Sequence, residues 1–249
     1  MAKKERLIEL LQERRTALIT RAVTKGLDSN IPMKDSGFEW LAEIPAHWAI
    51  APLKTLLARC DYGISETLSG TGSVRVLTMA HIQDGEVVLP KLGSINEIDD
   101  TLILEHDDLL FNRTNSRELV AKVGIFRGSN EDAVSFASYL VRLRARSGVS
   151  PYWLNYLLNS SGLLGVARSM ALLSVNQANL NPTKYCQIAL PVPPESERYA
   201  IAAFLDRETA PIDTLVTKIH GVIDRLKELR TALIFAAITG KIDVREEAA

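Results

Sequence analysis

The sequence predicts an α+β fold in which one mixed α/β domain is flanked by two long helices. The first supporting observation is an internal repeat, because residues 10–28 (LLQERRTALITRAVTKGLD) match residues 225–243 (RLKELRTALIFAAITGKID) at an offset of 215. The second is a change of pattern between the repeats, where short apolar runs and turn formers replace helical spacing. A repeat at each end of a long unrepeated middle argues against a solenoid.

Both copies of the repeat have the spacing of amphipathic helices. In and before the C-terminal copy, apolar residues recur at alternating steps of three and four, which is the heptad pattern of a coiled coil. A stripe this narrow does not stabilise an isolated helix, so we expect the two copies to pair with each other. The alternative is that both pack on the middle domain as ordinary amphipathic helices. The predicted pairing positions are Leu7, Leu11, Leu18, Leu215, Ile219, Val222, Leu226, Leu229 and Leu233.

The middle of the chain, residues 29–194, is the predicted α/β domain, with helical arms at residues 1–28 and 195–249. Short apolar runs between turn formers predict several strands joined by hairpin-like turns. Residues 151–170 have helical spacing, and Pro211 predicts a kink or a division of the C-terminal helix. The runs predicted as strands are Val74–Met79, Val87–Leu89, Leu109–Phe111, Val120–Phe126 and Tyr139–Leu143.

Overall composition indicates an ordinary globular protein. Hydrophobic residues make up 47% and charged residues 24% of the chain, and the formal net charge is -1. Any surface that binds nucleic acid must therefore be a local patch. The chain begins with a charged helical pattern, and its apolar runs are far shorter than the roughly 20 residues of a membrane span. We expect a cytoplasmic protein with no membrane partner.

Cysteine and histidine usage predicts no metal centre. Cys60 and Cys186 are far apart in the sequence, and the four histidines are scattered without the spacing of metal ligands. We expect both thiols to be reduced; a disulfide between them is the alternative. The GxGxxG, Walker, HExxH and GxSxG motifs are absent, so no catalytic residue is predicted. Residues 181–185 (NPTKY) match the Asn-Pro-Pro-Tyr motif of amino-methyltransferases only in part, and we expect a turn there.

Charge is segregated within the middle domain. Residues 84–108 hold eight acidic residues and one lysine, whereas residues 110–146 hold seven basic residues and three acidic ones. The basic segment is a candidate surface for phosphates, although a run of charge is also typical of a solvated face. Strand alternation places Arg142 and Arg144 on one face. The candidate phosphate ligands are Lys122, Arg142 and Arg144.

Two short polar clusters have the side chains that read base edges. One follows Phe111 and the other follows the predicted helix at 151–170. Arg bonds guanine, Asn and Gln bond adenine, and Ser and Thr reach bases or phosphates. The alternative is a pair of loops that satisfy their own hydrogen bonds through Asx and Ser/Thr turns. The candidate DNA-binding residues are Arg113, Thr114, Asn115, Ser116, Ser174, Asn176, Gln177 and Asn179.

Several segments, taken in order, resemble the specificity subunits of type I restriction-modification enzymes. Members of that family carry two target-recognition domains and two long helices that pack as an antiparallel coiled coil. The resemblance therefore implies that this chain has one target-recognition domain and both helices, as a half-length form or the C-terminal half of a longer subunit. The segments that carry it are residues 33–48, 111–122, 137–145, 176–181 and 188–206.

The resemblance also implies a function and partners. Such a chain is a non-catalytic subunit that reads one half of a bipartite site in double-stranded DNA and docks modification subunits. Restriction subunits are further expected partners, and a half-length form is expected to pair as a homodimer. S-adenosylmethionine, ATP and Mg²⁺ are expected on partner subunits only, where the target adenine is flipped out and methylated.

Two other classes of function stay open at this point. One is an orphan DNA methyltransferase or nuclease component, which turnover by the isolated chain would favour. The other is a coiled-coil scaffold without a DNA role, which unchanged DNA affinity after charge reversal at Arg113 would favour.

Overall fold

The computed structural model describes residues 2–66, 68, 72–89, 93–129, 133–175 and 177–242. The chain forms two compact units. The larger unit is Leu18–Leu205, and the smaller combines Met1–Ala17 with Asp206–Ala249. The end of the first helix and the start of the last helix thus belong to the larger unit. The larger unit therefore extends beyond residues 29 and 194, the bounds predicted for the middle domain. The predicted α+β class is confirmed.

Five helices account for the helical part of the chain that the structure describes. The last helix continues through Pro211, where the sequence predicts a kink or a division. Thr209 and Ile212 are buried on either side of Pro211, so packing offsets the backbone hydrogen bond that proline removes. The helices are α1 (Ala2–Lys25), α2 (Pro151–Leu158), α3 (Ser161–Ser169), α4 (Pro182–Tyr185) and α5 (Glu195–Ile238). Among the described residues, none of the helices is both long and apolar enough to cross a membrane.

The strands of the larger unit are short. Four of the five apolar runs that the sequence predicts as strands contain or largely overlap one, whereas Val87–Leu89 shares only Val87 with a strand. The strands are β1 (Met33–Asp35), β2 (Glu43–Pro45), β3 (Ala49–Pro52), β4 (Leu57–Tyr62), β5 (Val74–Leu77), β6 (Ile82–Gln83), β7 (Glu86–Val87), β8 (Gly93–Ile95), β9 (Leu109–Asn112), β10 (Thr114–Asn115), β11 (Val123–Ile125), β12 (Val134–Phe136), β13 (Leu140–Ala145), β14 (Leu172–Ser174), β15 (Gln177–Asn179) and β16 (Ala189–Val192).

A six-stranded sheet forms the centre of the larger unit. Its order is β4-β13-β9-β11-β7-β6, and all neighbours are antiparallel except β11 and β7. Leu109 and Phe111 of β9 pack in the core that contains Trp153 of α2, whereas Leu110 packs in a second core with Phe126. Burial on both faces explains why β9 reads as a continuous apolar run rather than an alternating one.

Smaller sheets surround the central one. Strands β12, β5 and β8 form a three-stranded sheet, and β16 pairs with β3 and β1 with β2. Another three-stranded sheet has the order β10-β15-β14. This last sheet carries both polar clusters singled out in the sequence.

The N-terminal copy of the repeat is part of the core of the larger unit. Ile19, Ala22 and Val23 are buried in the same cluster as Trp48. The helix ends at Gly26, whose φ of +75° is a conformation that favours glycine. A Cβ atom at Gly26 would lie 3.2 Å from the Trp48 ring, so a larger residue is also crowded there. This end of α1 therefore packs on the domain, as in the alternative interpretation of the repeat.

The smaller unit contains an antiparallel contact between α1 and α5. Ile8 packs with Ile219 and Ile223, and Arg15 forms a 2.7 Å ion pair with Asp213. The two helices are therefore antiparallel, because the earlier residue of α1 contacts the later residues of α5. The two helices thus pair as predicted, but the covered part of α5 precedes the C-terminal copy of the repeat, so the two copies themselves do not pair.

The predicted pairing positions are largely wrong. Leu11 and Ile219 lie in the contact, whereas Leu18 is half-buried on the core of the larger unit. The reason is that α5 has two overlapping apolar stripes with the same spacing, and the stripe of Ile212, Val216, Ile219 and Ile223 is the one that is covered. The exposed predicted positions are Leu7, Leu215, Val222, Leu226, Leu229 and Leu233.

Candidate nucleic-acid interface

The two polar clusters come together in the sheet β10-β15-β14. Thr114 pairs with Asn179 and Asn115 with Ala178, in antiparallel register. Strand β15 then forms a hairpin with β14, in which Ser174 lies opposite Gln177. Segments about 60 residues apart in the sequence therefore form one small sheet.

The arrangement of this sheet decides which of the predicted side chains are accessible. Ser174, Gln177 and Asn179 are exposed, and Asn115 and Ser116 are half-buried. Thr114 is buried, because its partner strand and the adjoining core cover it, so its predicted role as a DNA contact is wrong. Asn176, which the sequence also predicts, lies outside the described residues.

Arg113 is held between the central sheet and the small one. Its Nη2 donates a 3.1 Å hydrogen bond to Oδ1 of Asn179, and its guanidinium carbon lies 5.2 Å from the centroid of the Tyr62 ring. Its backbone N–H donates to Tyr139, and its carbonyl accepts from Leu180. The amide and the aromatic ring fix the orientation of the guanidinium without neutralising its charge.

Two exposed tyrosines beside Arg113 are absent from the sequence-based prediction. Tyr62 ends β4 and Tyr139 precedes β13, and about half of each side chain is exposed. Both rings have a face and a hydroxyl that could meet a base or a phosphate. In the sequence they are isolated aromatic residues, so only the strand pairing that brings β4 and β13 to Arg113 identifies them.

The loop after β10 is organised by its own hydrogen bonds. Oδ1 of Asn115 accepts from the N–H of Ser116, and the carbonyl of Ser116 accepts from the N–H of Val120. Hydrogen bonds from its own backbone N–H and from Ser116 lower the pKa of the exposed Glu118 carboxyl. The alternative interpretation of this cluster, a turn that satisfies itself, therefore describes Asn115 and Ser116 correctly.

A group of cations lies along this loop. The Arg168 guanidinium of α3 donates hydrogen bonds to the carbonyls of Glu118 and Val120. Arg113, Arg117 and Arg168 form no ion pair with an acidic residue in the described part of the chain. Lys122 is half-buried beside them. This edge of the domain thus keeps positive charge that anionic groups of a partner can meet.

Three other arginines of the basic segment, Arg127, Arg142 and Arg144, pair with acidic residues of the domain, whereas the exposed Arg146 donates to the carbonyl of Leu57. Arg142 is fully buried, and it donates to Asp61 at 2.5 Å and to the carbonyls of Thr101 and Ile103 at 2.7 and 3.0 Å. Its predicted role as a phosphate ligand is wrong, because no phosphate can reach a guanidinium that is covered and already paired. Arg127 likewise pairs with Glu86 at 2.8 Å.

Arg144 is also committed to acidic partners. It binds Asp108 with two hydrogen bonds of 2.7 and 2.8 Å and Glu105 with one of 2.6 Å. The hydrogen bond with Asp108 raises the pKa of Arg144. Two carboxylates balance its charge, so its predicted phosphate contact is wrong as well. The predicted common face is confirmed, since Arg142 Nη1 lies 3.9 Å from the same Asp108 carboxylate.

The NPTKY segment forms a capped helix rather than a turn. Asn181 caps α4 by accepting from the N–H groups of Thr183 and Lys184 at 2.8 and 3.3 Å. Tyr185 is buried and stacks on Phe111 with ring centroids 4.1 Å apart. Its ring is therefore unavailable to stack on an extruded base, and burial raises the pKa of its hydroxyl.

Sulfur and acidic groups form no recognisable metal centre in the described ranges. No group of three or more His, Cys, Asp or Glu residues there has the geometry to hold a metal ion. Cys60 and Cys186 are free thiols, but their Sγ atoms lie 3.5 Å apart. A hydrogen bond between them lowers the pKa of Cys60 and raises that of Cys186.

The architecture is a mixed α/β domain with a helix at each end. Its small exposed sheet carries amide and hydroxyl side chains beside arginines that form no ion pair in the described residues. The chain is similar in sequence to type I restriction enzyme specificity subunits. It is 27% identical over 202 residues to the putative MjaX specificity subunit of Methanocaldococcus jannaschii, which covers 78% of this chain and 46% of that protein. It is 22% identical over 246 residues to the StySPI specificity subunit of Salmonella potsdam, covering 97% and 51%. The chain thus spans about half the length of these curated relatives; no family model matches it.

Solved structures confirm the fold. A chain from a structure concerned with complex assembly and conformational transition of the type I R-M system aligns with a TM-score of 0.60 at 20% identity, over 95% of this chain and 57% of that one. The HsdS subunit of Thermoanaerobacter tengcongensis aligns with a TM-score of 0.52 at 19% identity, over 97% and 57%. The S subunit of M. genitalium has the same TM-score at 11% identity, over 90% and 55%. The resemblance predicted from the sequence is therefore confirmed.

Proposed function

We propose that this chain is the DNA-reading subunit, or the half of one, in a type I restriction-modification enzyme. It recognises one half of a bipartite site in double-stranded DNA and has no catalytic site of its own. The observation that carries the proposal is the sheet β10-β15-β14, which joins two polar clusters beside Arg113 on an exposed edge. The relatives named above support the same function.

The side chains of this edge match the chemistry of the major groove. A guanidinium in a fixed orientation suits the two acceptors of guanine, and Gln177 and Asn179 suit the donor and acceptor of adenine. Ser174 adds a hydroxyl that reaches either a base or a phosphate. Arg113, Gln177 and Asn179 are the residues we assign to base readout.

Of the phosphate ligands expected from the sequence only Lys122 is kept, and Arg117 and Arg168 are added to it. None of the three forms a salt bridge in the described residues, although the neighbouring Glu118 carboxylate interacts electrostatically with Arg117 and Arg168. Phosphate contacts position a protein on the duplex and supply affinity that falls with salt. They account for binding by a chain whose formal net charge is only -1.

The helical parts are the proposed site of assembly. The internal repeat supports a second recognition domain as one partner. Ile19, Ala22 and Val23 of the N-terminal copy are buried on this domain, whereas their counterparts in the C-terminal copy are not buried and could pack on another domain in the same way. Those counterparts are Ile234, Ala237 and Ile238. The second domain comes from another copy in a homodimer or from a longer subunit, and the helices space the two DNA half-sites.

Catalysis belongs to partner subunits in this proposal. Modification subunits dock on the helices, bind S-adenosylmethionine and flip out the target adenine, and restriction subunits use ATP and Mg²⁺. The chain itself holds no cofactor. Its DNA target places it in the cytoplasm.

Selection from random DNA duplexes tests the proposal. The full chain, with its cognate modification subunit, is expected to enrich one half-site motif, and Arg113→Ala is expected to lose it. Arg127→Ala, which removes an exposed arginine that is paired with Glu86, is the matched control and is expected to keep the motif. Methyl transfer by the chain alone would favour an orphan methyltransferase. If no motif is enriched and the unmodified chain and both variants bind DNA equally, the chain is instead a scaffold.

A further inference from the structure

The β14-β15 hairpin exposes an unusual amount of apolar surface. Leu172 is 77% exposed, Leu173 59% and Val175, in the turn, 96%. Single exposed apolar residues are ordinary on a protein surface, but a cluster at the end of a projecting element marks an interaction site. The hairpin therefore has an apolar surface, from Leu172 at the start of β14 to Val175 in the turn, that the domain itself does not cover.

One face of the hairpin places Leu172 beside the polar readers. Leu172 pairs with Asn179 and Ser174 pairs with Gln177, so these four side chains point to the same side. All four residues are exposed, so this face is turned to solvent. On the opposite side Ala178 is buried in the core of the larger unit, while its partner Leu173 is exposed as well.

Charge favours an anionic partner for this hairpin. The sequence has no Asp or Glu between residues 133 and 194, a stretch that includes the whole hairpin, Arg168 and Lys184. The hairpin also continues directly into the edge that holds Arg113, through the Thr114–Asn179 pair. A two-stranded ribbon is one of the two elements that fit the major groove of B-form DNA.

We propose that the β14-β15 hairpin enters the major groove and that Leu172 and Val175 pack on the C5-methyl groups of thymine. This inference rests on the proposed function and adds specificity-determining residues to it. The thymine methyl is the apolar group that a base edge presents in the major groove. Leu172 and Val175 thus read A·T pairs next to the bases that the amide side chains read.

Replacing thymine by uracil tests the contact directly, because uracil lacks the C5-methyl group and keeps the hydrogen-bonding groups. The full chain, with its cognate modification subunit, is selected on random duplexes that contain thymine. The enriched site is then resynthesised with uracil at each thymine in turn. Loss of one methyl contact is expected to weaken binding about three- to fivefold at one or two positions.

The variant carrying Leu172→Ser and Val175→Ser is expected to bind thymine and uracil duplexes equally. Both side chains are exposed, so neither substitution removes core packing. Val88→Ser, at another exposed apolar residue, is the matched control and is expected to keep the thymine preference. Equal binding of both duplexes by the unmodified chain, an enriched site without thymine, or a thymine preference retained by the double variant would overturn the inference. Failure to enrich any sequence would overturn the proposed function as well.

Discussion

The guanidinium of Arg113 donates a hydrogen bond of 3.1 Å to the side-chain oxygen of Asn179, which lies 66 residues further along the chain. This bond joins the two polar clusters and places them on one edge of the domain. A fixed guanidinium loses less conformational entropy when it binds than a free one does. The edge is therefore prepared for recognition before any partner binds.

Replacing Arg113 with alanine is expected to weaken specific DNA binding by ~1–3 kcal/mol, the value of one bidentate contact to guanine. Non-specific binding is expected to change much less, because phosphate contacts supply most of it. Fluorescence anisotropy with the selected site and with a scrambled duplex measures both. An equal loss on the two duplexes would show that Arg113 contacts phosphate rather than a base.

Tyr62 is expected to act by positioning Arg113. Tyr62→Leu keeps apolar bulk but removes the ring face beneath the guanidinium, and we expect a loss of about 0.5–1 kcal/mol in specific affinity. In the Arg113→Ala background the same substitution is expected to have almost no further effect. A double-mutant cycle by anisotropy measures this coupling, and additive losses would mean that Tyr62 binds DNA independently of Arg113.

Arg142 is expected to be essential for stability rather than for DNA binding. Arg142→Leu leaves two carbonyl groups without their donor and Asp61 with only Arg59 as a cationic partner, and we expect a loss of roughly 3 kcal/mol in the free energy of unfolding. Urea denaturation followed by tryptophan fluorescence measures it. At a temperature where the variant is folded, its DNA affinity and the salt dependence of binding are expected to match those of the unmodified chain. A smaller salt dependence at full stability would restore Arg142 as a phosphate ligand.

The two apolar stripes of α5 are expected to respond differently to charge. Ile219→Asp places a carboxylate in the covered contact with Ile8, and we expect it to destabilise the helical unit by at least ~2 kcal/mol. The pair Leu226→Asp and Leu229→Asp lies on exposed positions, so it is expected to leave the stability of the chain unchanged and to weaken subunit assembly. Circular dichroism and light scattering separate these effects, and unaltered assembly of the double variant would remove this stripe from the interface.

The close thiols make a prediction about pH. Since the hydrogen bond from Cys186 lowers the pKa of Cys60, the Cys60 thiolate forms at a lower pH than that of an ordinary cysteine. Cys186→Ala removes the donor and is expected to shift the pH profile of Cys60 alkylation to higher pH. Mass spectrometry after timed iodoacetamide treatment measures the rates. An identical profile in the variant would mean that Cys186 does not stabilise the thiolate.

Local pattern predicted part of the secondary structure, whereas the NPTKY segment, expected to form a turn, is the helix α4. Apolar runs bounded by turn formers became β5, β7, β9, β11 and β13, because short buried strands need little more than that pattern. The pairing of two helices also followed from the repeat. The register of the helix pair did not follow from the repeat, because two stripes of α5 have the same three-and-four spacing. The contact with Ile8 shows which of the two stripes is covered.

The candidate site depended on contacts between distant parts of the chain. Asn115 and Ala178 are neighbours only because β10 pairs with β15, and no local signal sets that register. Arg142 and Arg144 looked available in the sequence because the acids that bind them, Asp61 in β4 and Asp108 just before β9, come from other parts of the chain. Charge along the sequence therefore overestimated the basic surface, which keeps Arg117 from the predicted segment and gains Arg168 from α3.

The central claim is that this chain selects the DNA sequence at which a partner methylates adenine. Adenine methylation mapped across the genome of cells that express this chain and its cognate modification subunit, with no other specificity subunit, tests it most directly. We expect methylation at one bipartite motif, which Arg113→Ala abolishes or relaxes and Arg127→Ala leaves intact. Methylation of the same motif without the chain, or no methylated motif even when a second recognition domain is supplied, would refute this function.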